Sequence, residues 1–422
     1  MSLKKLHAAI LCSPGVGHLV PVLLLGRRLL THHNLHVTIL AVTISTTTAQ
    51  SELLTLFTTD FHLPVIQIPA ADISSVVSAD AKVVTRICTM MRETIPTIRT
   101  TISSMEALPD VLVGDIFSME SWVIAEEFEI PKYVFVTGNA WFTGLFTYSL
   151  VLDKEVVGQY VDHTEPFEIP GCKPVRPEEV VDPMLDRDDE DYRVYLDQAV
   201  GVTLADGMLI NTWEKLEPKS LDALRNNEIL RSVVKNKPMS QQRFVWVVRP
   251  PAGHVTYGSF FKPGHSGEPN GEYDFLPEGF INRTQKIGLV VPSWAPQIEI
   301  LNHASVGGFL THCGWNSTLE SITSGVPMIA WALYAEQRMN ATMLTEELKV
   351  ALRPEVLPTK KVVAREEVER MVRGLMEGEE GKAMTENVKR LKEGAEEALS
   401  ENGSSYISTC KFIEDCWSQI QR

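Results

Sequence analysis

Short, nearly unbroken apolar runs alternate with longer amphipathic ones along the first half of the chain. Residues 7–12 (HAAILC), 36–41, 64–68, 111–114, 133–137 and 208–211 read as strands, and helices are predicted over 18–30 and 120–128. Val, Ile and Leu runs that do not alternate with polar residues suit strands covered on both faces. Helices between them supply the crossovers of a parallel sheet. Residues 208–211 read as the last strand of this half. Two stretches break the pattern. Residues 51–83 are uneven in texture, and residues 153–193 are rich in proline and acidic side chains without a clear period. The latter predicts a surface excursion over a cleft.

The alternation resumes after about residue 241. Strands are predicted at 243–248, 288–292, 306–311, 326–331 and 350–353, and helices at 336–347, 364–377, 383–399 and 404–421. Glu/Lys pairs mark the outer faces of the second and third of these helices. Residues 252–274 form a loop rich in Gly, Pro and His. Two α/β halves enclose a cleft, and ligands of such sheets bind at the carboxyl ends of the strands. A length of 422 residues agrees with two domains, since single cores stop growing near about 250–300 residues.

Composition then narrows the class. Hydrophobic residues at 44% and charged ones at 22% describe an ordinary globular protein. A net charge of −15 without any local run of Lys and Arg argues against a nucleic-acid or anionic-membrane surface. Cys12, Cys88, Cys172, Cys313, Cys410 and Cys416 show neither CxxC nor metal-ligand spacing and read as the reduced thiols of a cytoplasmic protein. Lys4 and Lys5 precede an apolar run, but Pro14, Gly15, Gly17, His18 and Pro21 interrupt it. A core strand and turn are expected there rather than a secretory signal. No other stretch reaches the roughly 18 apolar residues of a membrane span.

The densest chemistry lies in the 44 residues from Trp294 to Gln337. Two strand-like runs flank the turn HCGWNS at 312–317, and a helix is predicted from about Asn316. A glycine-containing turn feeding a helix presents free N–H groups and a positive dipole end to an anion. Trp294 and Trp315 offer flat rings, and Glu336 and Gln337 close the stretch with a carboxylate and an amide. Alternatives stand at each position. Ser317 and Glu320 match the capping box S-x-x-E, which makes Glu320 a helix-terminus group instead of a ligand for ribose hydroxyls. Trp294 and Trp315 also suit a core, and Asn316 and Ser317 suit ordinary caps. In the first half, His18, one of 11 histidines, opens a helix just after a strand; a neutral imidazole there is fit to act as a general base. Asp115 follows the strand at 111–114, placed either to accept the second ring N–H of a histidine or to cap the next helix.

Residues 294–337 resemble the signature box of the plant family 1 UDP-glycosyltransferases, at the family's length and with one departure, Ala332 in place of the usual proline. SPGVGHLVP, LINTWEKLEP, FVWVVRPP, FLPEGF and LMEGEEGK extend the likeness over most of the chain. They point toward the subgroup that glucosylates small phenolics: hydroquinone, monolignols, flavonoids and anthocyanidins. The resemblance implies the α/β fold called GT-B, two Rossmann-like domains with parallel sheets facing across a cleft. An acceptor-binding domain is expected at 1–236, a UDP-sugar-binding domain at 237–403, and a last helix at 404–422 packing back toward the first. The resemblance further implies that Trp294 stacks on uracil, with Ala295 and Gln297 completing base recognition, and that Glu320 takes the ribose hydroxyls. His312, Asn316, Ser317 and the backbone at Gly314 would hold the diphosphate. Trp315, Glu336 and Gln337 would face the sugar, with glutamine favouring glucose. His18 would deprotonate the acceptor with Asp115 as its partner, inverting the anomeric carbon to give a β-glucoside. UDP-glucose is implied as the donor substrate, with no metal and no other cofactor. Phe117, Trp141 and Phe142, with the segment after Asp153, suit a flat phenol.

The likeness breaks between Leu230 and Gln241. Family members there finish the first domain, cross a linker and form the first strand and helix of the second, with a Gly/Ser-rich loop between them. Here LDAL at 221–224 runs through Asn236, Lys237 and Pro238 to RFVW at 243–246, and no such loop appears. At least one βα unit, roughly 30 residues, is expected to be missing. The expected consequences are an exposed sheet edge and a diphosphate cradle short of one wall, at a cost of roughly 10²–10³ in rate. Two readings result: an active glucosyltransferase, or an impaired relative that binds UDP-sugar or phenolics without efficient transfer.

Overall fold

The computed structural model describes residues 5–44, 48–78, 80–233, 238–240 and 295–421. The first half is built on strands β1 (His7–Cys12), β2 (His36–Thr43), β3 (Val65–Pro69), β4 (Val111–Asp115), β5 (Lys132–Val136), β6 (Gly207–Ile210) and β7 (Pro238–Ser240). They form one sheet in the order β3-β2-β1-β4-β5-β6-β7, with every pair parallel. β1 and β4 are buried at every position, as the unbroken apolar runs require when helices cover both faces. Chain order reverses between β1 and β4. That reversal is the topological switch point, where the loops leaving two neighbouring strands diverge and open a crevice at their carboxyl ends.

Helices α1 (Val16–His32), α2 (Thr48–Thr59), α3 (Val83–Ser103), α4 (Trp122–Glu127), α5 (Ala140–Glu155), α6 (Glu190–Thr203), α7 (Pro218–Asn226) and α8 (Glu228–Val233) belong to this half. In the second half α9 (Gln297–Leu301) precedes β8 (Phe309–Thr311), α10 (Trp315–Ser324), β9 (Met328–Ala330), α11 (Gln337–Thr342) and β10 (Ala351–Leu352). These strands pair in parallel in the order β10-β9-β8. Then come α12 (Arg365–Glu377), α13 (Glu379–Leu399) and α14 (Ser404–Ile420). The last helix crosses back. Its Phe412 and Cys416 are buried with Ile10, Ile39 and Leu23 of the first half, and Tyr133 donates its hydroxyl to Asp415 at 2.6 Å.

Several expectations need correction. Residues 208–211 are not the edge of the first sheet, because β7 pairs beyond them, Met208 opposite Pro238 and Ile210 opposite Ser240. Residues 238–240, assigned by sequence to the second domain, are thus a strand of the first sheet. The helix expected at 120–128 starts as a 3₁₀ turn, Met119–Ser121, and that expected at 336–347 starts at Gln337 and widens into a π turn at Met343–Glu347. The largest correction concerns residues 153–193. Tyr160, Ile169, Val175, Val180, Val181 and Met184 of this segment are all buried in the core, so it is anchored inward at these positions and is not wholly a surface excursion, although residues 161–166 are exposed. Its apolar residues are spaced irregularly because the segment is made of short 3₁₀ turns (Tyr160–Asp162, Pro177–Glu179, Asp182–Leu185) and the links between them, which carry no long period. The strands expected at 243–248 and 288–292, the loop at 252–274 and, within the region of the expected deletion, residues 234–237 and 241 lie outside the described residues. Among the described residues, no helix is long and apolar enough to cross a membrane.

Candidate functional site

One wall of the cleft grows from β1. The chain leaves Cys12, turns through Ser13 to Gly15 and enters α1. Gly15 is the N-cap with φ 125°, a backbone conformation that a side chain would strain. His18 therefore stands in the first turn of α1, with only 9% of its surface exposed. Asp115, the last residue of β4, lies directly across the switch point and is fully buried. Its Oδ2 accepts from His18 Nδ1 at 3.1 Å, from Ser13 N at 2.9 Å and from Ser13 Oγ at 2.5 Å. Its Oδ1 accepts from Ser118 Oγ at 2.7 Å and Phe117 N at 3.2 Å. Of the two sequence readings of Asp115, the histidine partner is the one the geometry matches: one oxygen meets His18, while the other holds the turn that follows and caps no helix, the next N-caps being Ser118 and Ser121. Burial alone pushes this carboxyl up, but the bond and charge of His18 and the hydroxyls of Ser13 and Ser118 outweigh it, and the net displacement is downward. An ionised Asp115 sets the tautomer, with Nδ1–H donating and Nε2 left as the basic nitrogen. The Phe117 ring lies 4.9 Å from the imidazole, centroid to centroid.

The other wall grows from β8 in the same way. After Thr311 the chain turns through His312, Cys313 and Gly314 into α10. Cys313 takes φ 66°, unusual for a side-chain-bearing residue and the kind of outlier that collects at functional turns. The first bond inside α10 runs from Thr318 N to Gly314 O at 3.0 Å, so the N–H groups of Trp315, Asn316 and Ser317 have no partner within the helix. Asn316 Nδ2 donates to Gly17 O at 3.2 Å, which brings the starts of α10 and α1 face to face. Burial pushes the His312 imidazole down to about 4, so at pH 7 it meets the cleft as a neutral ring. A Cβ at Gly314 would sit 2.4 Å from His312 Nε2, so the glycine is what lets that ring lie against the turn. Gly314→Ala is expected to displace the imidazole and weaken UDP binding by about 10-fold, read by calorimetry, on the scale by which small misplacements in a site cost affinity and rate.

The capping-box reading of Ser317 and Glu320 does not survive. The N-cap is Gly314 and makes no side-chain cap bond, which places Ser317 and Glu320 inside the helix. Glu320 is fully buried and accepts from Gln297 Nε2 at 2.7 Å, while the same nitrogen lies 3.4 Å from Ser317 Oγ. Gln297, at the start of α9, Ser317 and Glu320 are therefore one cluster, with partly buried Ala295 just ahead of it. Trp294 lies outside the described residues. Trp315 turns inward, and its indole N–H donates to Asn211 O of the first half at 2.6 Å. Only its backbone is left to face the cleft.

Glu336 and Gln337 close this wall. Burial pushes the Glu336 carboxyl up, against the pull of its own N–H, Asn340 and the charge of His18; that last influence places Glu336 within electrostatic reach of the imidazole. Gln337 Oε1 accepts from Leu333 N at 2.9 Å and Tyr334 N at 3.1 Å, so its amide can meet a ligand only as a donor through Nε2. Two further residues, which sequence reasoning missed, tie the walls together. Asn340 Nδ2 donates to Cys313 O at 2.8 Å, and Asn340 Oδ1 accepts from Asn139 Nδ2 at 2.7 Å. Asn139 is itself the N-cap of α5, accepting from Phe142 N. An asparagine just before an apolar helix is a legible cap signal, but nothing local discloses its partner 201 positions away. Trp141, expected beside the acceptor, lines a cleft of about 140 Å³ with Cys172, Glu217 and Met343, and Phe142 stacks on Phe146.

Comparison with known proteins agrees with this geometry. The family model "UDP-glucoronosyl and UDP-glucosyl transferase" matches residues 277–392. Anthocyanidin 3-O-glucosyltransferase 5 of Manihot esculenta is 44% identical, across 96% of this chain and 94% of that protein. Among solved structures, TcCGT1 in complex with UDP superposes with a TM-score of 0.90 at 42% identity, covering 99% of this chain and 100% of that one. Phytolacca americana UGT2, complexed with UDP-2fluoro-glucose and pterostilbene, gives 0.87 at 32% identity over 98% and 100%. Two parallel α/β halves with a histidine–aspartate pair on one wall and a helix N-terminus on the other are the architecture of a GT-B glycosyltransferase. The chain belongs to the plant family 1 UDP-glycosyltransferases and is an enzyme of that family.

Proposed function

We propose that the enzyme transfers glucose from UDP-glucose to a hydroxyl of a small phenolic acceptor, with inversion at the anomeric carbon. The observation that carries the reading is the His18–Asp115 pair standing opposite the start of α10. His18 Nε2 takes the phenolic proton, and Asp115 holds the imidazolium that results. The phenolate oxygen bonds to the anomeric carbon as the bond to UDP breaks, its electron pair leaving on the diphosphate. The N–H groups at the start of α10, with His312, Asn316 and Ser317, meet the charge developing there. Glu320 takes the ribose hydroxyls and Trp294, Ala295 and Gln297 the base. Glu336 and the Gln337 amide N–H face the sugar, joined by the backbone of Trp315. The donor reading draws on the neighbour solved with UDP-2fluoro-glucose. The phenolic reading draws on the anthocyanidin enzyme, on the pterostilbene in that same neighbour, and on Phe117 against His18. Six free cysteines favour the cytoplasm.

The shortened region between Leu230 and Gln241 remains part of the reading, as does a division into two domains, placed after β7. The match to the anthocyanidin enzyme runs over 458 positions, more than the 422 residues of the chain, so that relative carries residues with no counterpart here. Incubation with UDP-glucose and a panel of phenols, with products resolved by chromatography and the anomeric proton read by NMR, tests the proposal. A β-glucoside is expected. Binding of UDP without any glucoside from the panel would overturn it in favour of a binding protein.

A further inference from the structure

The loop joining β9 to α11 carries Glu336 and leads into Gln337, and bonds within it are not all that hold its shape. Ala335 sits at φ 55°, a left-handed conformation that a residue with a Cβ rarely holds without outside restraint. Ala332 stands just ahead, where the resemblance leads one to expect a proline. The restraint comes from the other half of the molecule. Asp182 Oδ2 accepts from Ala335 N at 2.9 Å, and Asp182 Oδ1 pairs with Arg338 Nη2. Arg338 is only 7% exposed, and the same Nη2 also donates to Val180 O at 3.2 Å. One carboxylate thus bonds the residues on either side of the Glu336–Gln337 pair, gripping the pair between its two oxygens. Asp182 itself is firmly seated: it opens a 3₁₀ turn with Pro183 behind it, and Val180, Val181 and Met184 around it are buried.

We infer that Asp182 is a positioning residue for sugar selection: through Ala335 N and Arg338 it sets where the Glu336 carboxylate and the Gln337 amide stand against the transferred hexose. The inference rests on the proposal that this pair faces the sugar. It assigns donor selectivity partly to the acceptor half, on a segment that makes no claim to touch the donor. Because uracil, ribose and diphosphate are assigned to Gln297, Glu320 and the start of α10, the grip bears on the sugar and not on UDP.

The test compares Asp182→Ala and Asp182→Asn with the parent enzyme, using UDP-glucose, its C4 epimer UDP-galactose, and UDP alone. For Asp182→Ala, kcat/KM with UDP-glucose is expected to fall about 30- to 100-fold, the scale on which a roughly 1 Å misplacement acts. The preference for glucose over galactose should fall about 10-fold, while the Kd for UDP stays within about two-fold. Asp182→Asn, whose amide oxygen still accepts from Ala335 N but carries no charge for Arg338, should lie between. Unchanged selectivity in Asp182→Ala, or a loss of UDP affinity in step with kcat/KM, would overturn the inference, the latter because it marks general loosening. If Asp182→Ala fails to fold, Arg338→Lys takes its place with the same expected pattern, since an ammonium cannot repeat the guanidinium geometry. Gln337→Ala measured alongside separates the two ideas: if it leaves sugar preference unchanged, the assignment of the sugar subsite fails whatever Asp182 does.

Discussion

Replacing His18 with alanine is expected to lower kcat for glucosyl transfer by about 10³-fold and to leave the Kd for UDP unchanged. A positioned general base contributes roughly 10²–10⁴, and His18 is the only basic side chain bonded to the buried carboxylate among the described residues. Single-turnover transfer and calorimetric UDP binding, run on the same preparation, check both halves of the statement. Transfer within a few-fold of the parent would remove His18 from the role of base. Asp115→Asn tests the partner. It should also cost at least about 10²-fold in kcat, because the amide no longer stabilises an imidazolium and its NH₂ faces groups that donate. It should lower stability too. Asp115 is held below the usual carboxylate range, so its contribution is fully present above about pH 4, the ordinary value, and is lost as pH falls through the depressed one. Acid titration of the fold should therefore separate parent from Asp115→Asn most widely above pH 4, with the difference closing below it.

The second large effect is expected at Glu320. A fully buried carboxylate that does not cap its helix needs another reason to be there. If it takes the ribose hydroxyls, Glu320→Ala should weaken UDP binding by about 10- to 100-fold, the equivalent of about 1.5–3 kcal/mol for hydrogen bonds to a charged group. The sharper readout is 2′-deoxy-UDP. The parent enzyme should bind it more weakly than UDP, whereas Glu320→Ala should bind the two alike. A variant that still discriminates would mean that the ribose is read elsewhere and that Glu320 only orders Gln297.

Much of this was legible without coordinates. The strands of the first sheet announce themselves because a strand covered on both faces must be largely apolar through its middle, as β1, β2, β4 and β5 are. His18 and Asp115 were readable as a pair because each ends or follows such a strand, and strand ends converge at the switch point although 97 positions separate them. The capping box at Ser317 misled because the motif describes local spacing only, and where a helix starts depends on the turn before it; after the left-handed Cys313, Gly314 caps α10 three residues earlier than that motif implies.

By itself, then, the order of residues determined the alternating α/β pattern, the two glycine turns and the chemistry displayed at each, since all of these follow from interactions within a few residues. What only the tertiary structure decided is how the halves hold one another. Trp315 turning in to Asn211, Asn340 bridging Cys313 to Asn139, and Asp182 gripping the loop before α11 are bonds across 104, 201 and 153 positions. No local period encodes them. The proline- and acid-rich stretch from 153 to 193 reads as a loop in isolation because its apolar residues follow no regular period. Several of them become core in the folded chain, and its carboxylates Glu179 and Asp182 become anchors once the second half supplies Arg353 and Arg338.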